Sequence, residues 1–139
     1  MREIFPEASE VKLVSDLLNQ HAYWDIQGDK LSDALHFLDS VESHFLIEDL
    51  RNLANEFVKS GAELLDFMGL KFFVYPRGRT ERPLYFAMQP SWNLDREGNG
   101  SDEQVRKYDS LTRELESHVG KFSRAYEELI RAFHRALLE

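Results

Sequence analysis

The sequence predicts an α+β domain, mostly helical, packed with one antiparallel β-hairpin. Three observations predict it. Apolar residues recur at spacings of three and four along most of the chain, the mark of helices with one buried stripe. The period falls to two in a pair of short aromatic-rich runs between residues 70 and 89. Those runs flank a turn rich in Pro, Gly and Arg, within the stretch VYPRGRTERPLYF at 74–86. A chain of 139 residues is one domain's worth, so 1–139 is read as a single unit.

The first helix is expected over 7–24. Val11, Val14, Leu17, Leu18 and Ala22 make its stripe, Leu13 and Trp24 widen it, and Pro6 suits its start. Gly28 and Asp29 read as its stop and the next N-cap.

A second helical pattern runs over 30–68 through Leu31, Leu35, Leu38, Val41, Phe45, Leu46, Leu50, Leu53, Phe57, Leu64 and Met68. It outlasts an ordinary globular helix of about 8–20 residues. Asp39 followed by Glu42 has capping-box spacing, which places a break near 39–44. Gly69 reads as the terminator.

The hairpin strands are expected at 70–75 and 84–89. Leu70, Phe72 and Val74 alternate with Lys71, Phe73 and Tyr75; Leu84, Phe86 and Met88 alternate with Tyr85, Ala87 and Gln89. A lone hairpin is marginal in water, so it must lie on the helices or pair with another edge. Residues 90–104 read as a loop, with Ser101 and Gln104 capping the last helix.

That last helix, 102–138, carries a heptad seam: Leu115, Val119, Phe122, Tyr126, Leu129 and Phe133 alternate steps of four and three. Glu103–Lys107, Asp109–Arg113 and Glu127–Arg131 have the i,i+4 spacing of stabilising surface pairs. At 1.5 Å per residue the helix reaches about 55 Å, more than a compact domain of this size spans. The expectation is therefore that part of the seam packs outside the monomer's own core, against a protein partner or a second copy as a homodimer.

Composition narrows function. Hydrophobic residues at 42% and charged residues at 30% describe a soluble globular chain with ample core. The absence of cysteine removes disulfides, thiolate metal sites and cysteine nucleophiles, and fits a reducing compartment. No apolar run approaches the roughly 18 residues of a membrane span, and MREIFPEASE lacks a secretory apolar region. A cytoplasmic location is expected. The net charge of −8 opposes broad nucleic-acid binding, which needs a positive field.

Catalytic and cofactor signatures are missing. The chain has no G-x-S-x-G, Walker A loop or H-E-x-x-H, and nothing singles out a general acid and base. Asp33–His36 and Glu114–His118 fall short of the matched pairs a di-metal bundle uses. The stretch from Asp95 imitates a calcium loop through Glu97, Asn99, Gly100 and Ser101, but Arg106 occupies the position of the closing glutamate. No cofactor and no metal are expected.

One surface stands out. Residues 70–92 hold Lys71, Arg77, Arg79 and Arg82 against Glu81, a local charge of +3 that leaves −11 for the remainder. Arginine matches carboxylates and phosphates and stacks on rings, and Tyr75, Tyr85 and Trp92 lie close by in sequence. Three readings follow. The turn is merely solvated or its arginines pair with acids on the chain's own helices, they meet an acidic protein surface, or they hold a phosphate-bearing ligand or nucleic-acid strand. The functional expectation is a non-catalytic interaction or assembly protein, using the long helix and the arginine turn. The alternative is an accessory protein with Arg77, Arg79 and Arg82 on phosphate.

Overall fold

A computed structural model describes residues 5–41 and 48–138. In chain order these form helix α1 (Glu7–Gln20), strand β1 (Ala22–Trp24), helix α2 (Asp25–Val41), helix α3 (Glu48–Lys71), strands β2 (Phe72–Val74) and β3 (Tyr85–Met88), a 3-10 turn (Pro90–Trp92) and helix α4 (Asp102–Leu138). The chain is thus a mostly helical α+β fold, with a small antiparallel sheet of order β1-β3-β2.

The expected first helix stops early. His21 turns into the left-handed region at φ 50°, and its N–H donates to the Leu17 carbonyl at 3.1 Å, closing α1. The chain then extends, and Ala22, Tyr23 and Trp24 pair with Ala87, Phe86 and Tyr85. Ala22 and Trp24 fit a helical stripe equally well, so periodicity could not show that they form a strand. The hairpin decided it, because β3 needed a second neighbour.

Helix α2 accordingly begins at Asp25 rather than residue 30. Gln27 reaches back to accept the Trp24 N–H at 2.8 Å, which covers a donor on the outer edge of β1. Gly28 is no stop. It lies inside the helix, where an added Cβ would come 3.3 Å from the Tyr23 ring. Helix α2 runs through Asp39 to Val41; the rest of the expected break, with Glu42, lies outside the described residues. Gly69 does not terminate α3, which continues to Lys71 and passes directly into β2.

The paired strands are shorter than expected, 72–74 and 85–88, in the register Phe72↔Met88, Phe73↔Ala87, Val74↔Phe86. The inner face of the sheet buries Tyr23 among Phe72 and Phe86, each ring 5.3 Å away. Burial and Asp29 push the Tyr23 hydroxyl up to about 12, so it stays neutral at ordinary pH. Phe67 of α3 meets Phe72 edge-on at 6.4 Å, joining the sheet to the helical core.

Helix α4 runs unbroken, and its seam corrects a central expectation. Leu115, Val119, Phe122, Tyr126 and Leu129 are buried within the chain itself, and Phe133 packs half-buried against the same core. Phe122 and Tyr126 join Phe57 of α3 and Phe5 in one ring cluster, with centroids 5.4–6.2 Å apart. The reason is the length of α3: 24 residues beside α4's 37, with α1 on a further flank and the 3-10 turn near its start. Together they cover a seam that looked too long for one subunit. Two of the expected surface pairs form, Glu103–Lys107 at 2.9 Å and Glu127–Arg131 at 3.9 Å.

Candidate functional site

The arginine turn lies at one end of the sheet, and the chain's own acids meet much of its charge. Arg77 Nη2 lies 3.3 Å from Glu97, and Arg82 Nη1 lies 3.5 Å from Asp25, the first residue of α2. Both arginine side chains stay about four-fifths exposed, at 81% and 78%, so each pair adds at most about 1 kcal/mol. Arg79 differs. Its Nε donates to the Glu81 carbonyl at 3.3 Å, and its guanidinium lies 5.5 Å from the Trp24 ring centroid.

The strands explain why these groups meet. Residues directly opposite in antiparallel strands share a face. Trp24 opposite Tyr85 therefore sends both rings outward, 4.7 Å apart. Tyr75 follows β2 and donates its N–H to the Tyr85 carbonyl at 2.8 Å. Arg96, from the loop before α4, lies across both tyrosines, 4.8 Å from the Tyr75 centroid and 5.8 Å from that of Tyr85. The outer face is a ladder of guanidinium groups and rings: Arg79, Trp24, Tyr85, Arg96, Tyr75. Every member is half-buried, a setting in which a cation–ring contact is worth about 1 kcal/mol. Phe73, 48% exposed, flanks it on the same face, and Leu70, 71% exposed, precedes β2.

Among the six contact residues expected from sequence, Arg79, Tyr75 and Tyr85 come together in this ladder. Arg77 and Arg82 border it with their carboxylate partners. Trp92 stands apart: it packs half-buried against the core, with Lys107 of α4 5.3 Å above its ring. Sequence reading missed Trp24 and Arg96. Trp24 was assigned to a helix. Arg96 lies more than ten residues beyond the turn, and only the fold returns it to the tyrosines.

Behind Arg96 is a polar cavity of about 380 Å³, lined by Asn19, Gln20, His21, Asn93, Asp95, Arg96 and Tyr108. Arg96 Nη2 donates to the Gln20 carbonyl at 2.9 Å, at the carbonyl end of α1 where a cation is favoured. His21 Nδ1 and the Tyr108 hydroxyl are 2.6 Å apart, and Asn93 Nδ2 donates to the same hydroxyl at 3.1 Å. Burial first, and then Arg96, lower the pKa of His21, against a smaller opposite pull from Glu116. Tyr108 is pushed up to about 12 by burial, with Asp95 adding to the rise and Arg96 and the Asn93 bond opposing it. The ring and the phenol are therefore both neutral near pH 7.

The 93–98 loop that carries this arrangement is tightly wound. The Asn93 carbonyl accepts the N–H groups of Arg96 and Gly98, at 2.9 and 2.8 Å. Its Oδ1 accepts the Asp95 N–H at 3.0 Å. Gly98 passes so close that an added Cβ would lie 2.8 Å from the Asn93 carbonyl carbon, so only glycine fits there. Beyond it, Asn99 and Gln104 bond within the turn and cap: Asn99 Oδ1 accepts the Ser101 N–H, Gln104 Oε1 accepts the Asn99 N–H, and Ser101 Oγ accepts the Gln104 N–H. Among the described residues no cluster of three or more His, Cys, Asp or Glu is placed to hold a metal ion. Among them, too, no helix is long and apolar enough to cross a membrane.

Comparison with protein-family models, with curated proteins and with solved structures finds no match to this chain.

Proposed function

We propose that the chain is a non-catalytic cytoplasmic interaction protein that joins a second copy of itself through the outer face of its sheet. The α4 seam, buried in the chain's own core, has no part in the contact. One observation carries the reading: the half-exposed ladder of Arg79, Trp24, Tyr85, Arg96 and Tyr75. Arginine, tyrosine and tryptophan are the residue types that dominate binding energy at protein interfaces. Among the described residues neither Arg79 nor Arg96 has a carboxylate within ion-pair distance, so both guanidinium groups remain available to an outside acid. Phe73 and Leu70 add exposed apolar surface beside them.

Charge supports a second copy as the partner. The 70–92 segment carries +3 and the rest of the chain −11, so one copy's sheet face is complementary to another's acidic helices. Sedimentation velocity across micromolar to millimolar concentrations tests this. The expected result is a mass that rises above 16.3 kDa with concentration and falls back with added salt. Arg79→Ala and Tyr85→Ala should each weaken association about tenfold. A single 16.3 kDa species at every concentration would refute the proposal.

A further inference from the structure

We propose that the cavity between the end of α1, the 93–96 loop and Tyr108 binds a small molecule through a phosphate or carboxylate group, with Arg96 as the principal donor. The inference goes beyond self-association and concerns the cavity that Arg96 lines.

A guanidinium such as that of Arg96 offers five N–H donors. Here the group is oriented by two fixed contacts, the rings of Tyr75 and Tyr85 and the Gln20 carbonyl. The Gln20 carbonyl takes one hydrogen from Nη2, and no carboxylate among the described residues takes the others. A planar donor fork held in place and left without an acid is suited to a two-oxygen anion.

Asn93 and His21 add N–H donors to the lining, and Asp95 is its one acid. Asn93 Nδ2 donates to the Tyr108 oxygen, so the Tyr108 hydroxyl hydrogen is directed to His21 Nδ1. The neutral His21 ring then carries its proton on Nε2, a second N–H among the cavity residues. The cavity, about 380 Å³, falls within the range of small-molecule sites and leaves room for the body of a ligand behind its anionic group.

The charges around His21 make binding depend on pH. Arg96 faces it from the loop and disfavours its protonation; Glu116 of α4 favours it; Asp95 acts on Tyr108, next in the network. A bound oxyanion offsets the repulsion from Arg96, so His21 takes up a proton more readily when the site is filled. Affinity should therefore rise as pH falls through the range where His21 titrates.

The test is an NMR titration of the whole chain, following the His21 ring nitrogens and the Arg96 side-chain N–H. Three probes are used at constant ionic strength: inorganic phosphate, sulfate and acetate, with chloride as the balancing salt. Saturable shifts at both residues with an affinity of about millimolar are expected from a bare anion. A preference for phosphate and sulfate assigns the tetrahedral group, and a preference for acetate the planar one. Sulfate remains a dianion from pH 5 to 8 and should bind at least about threefold tighter at the acid end. Arg96→Lys, which keeps the charge and loses the fork, should weaken binding about tenfold. Arg79→Ala should leave it unchanged while weakening self-association, which separates the two proposals. Linear, unsaturated shifts in the wild-type chain, or shifts that chloride reproduces, would overturn the assignment, and that result needs no variant to fold.

Discussion

The Tyr126 hydroxyl donates to the carbonyl oxygen of Phe5 at 2.7 Å, tying the middle of the α4 seam to the residue that leads into α1. Both groups are buried, and the Tyr126 ring also meets Phe5 and Phe57. Tyr126→Phe keeps the ring packing and leaves the Phe5 carbonyl without this donor. A loss of about 1–2 kcal/mol is expected, read as a lower urea midpoint with an unchanged slope.

Burial of the seam predicts how its leucines respond to truncation. Leu129 is fully buried in the monomer. Leu129→Ala should cost about 2–5 kcal/mol through lost burial and the cavity left behind. Sedimentation at equal concentration should show no change in mass while the variant remains folded. A variant of undiminished stability but altered mass would return the seam to the role of an interface.

Two glycines within helices should respond in opposite directions. An added Cβ at Gly61 would lie 2.7 Å from Leu35 Cδ2 and 2.9 Å from Cδ1, with Leu35 itself confined in the core. Gly61→Ala should destabilise by about 1–3 kcal/mol by overpacking the α2–α3 contact. Gly120 has no atom within 4 Å of the added carbon. Gly120→Ala should stabilise by about 0.5–1 kcal/mol through helix propensity alone. Thermal or urea unfolding of the pair checks both signs.

Glu10 sets a pH dependence. It is buried to 7% exposure between α1 and α4, where Ser123 donates to its Oε1 at 3.2 Å. Burial raises its pKa, the Ser123 bond opposes the rise, and Glu127 and Glu7 add to it. A carboxyl whose folded pKa exceeds the unfolded one favours folding fully at pH below the unfolded value. That contribution fades as pH rises through the folded value. Glu10→Gln keeps an acceptor for Ser123 and cannot ionise. It should be more stable than wild type near pH 7, and the gap should close toward pH 4. An equal gap at both pH values would show that the Glu10 charge carries no penalty.

The helices were legible in the sequence because a stripe of period 3.6 is a local signal that survives any arrangement of neighbours. Leu115 through Phe133, and the apolar positions of α3, mark their helices without reference to the rest of the chain. The period-two runs likewise marked β2 and β3. Strand β1 was not legible: three residues cannot distinguish the two periods, and Trp24 became a strand residue because Tyr85 lay opposite it. Candidate-site residues followed the same division. Arg79, Tyr75 and Tyr85 are near one another in sequence and could be grouped from it; Arg96, His21 and Tyr108 come from separate segments and could not.

By itself the sequence determined which segments are helical, that a mostly helical α+β fold results, and that positive charge collects on one turn. The tertiary structure alone decided which surfaces those segments keep. Whether a seam faces solvent depends on what lies against it, and α3 and α1 lie against this one. Whether an arginine is free depends on which carboxylates the fold brings near, and it brings Glu97 to Arg77, Asp25 to Arg82 and none of the described acids to Arg96. Burial and charge pairing are set by distances between residues far apart in the chain, and those distances exist only after folding.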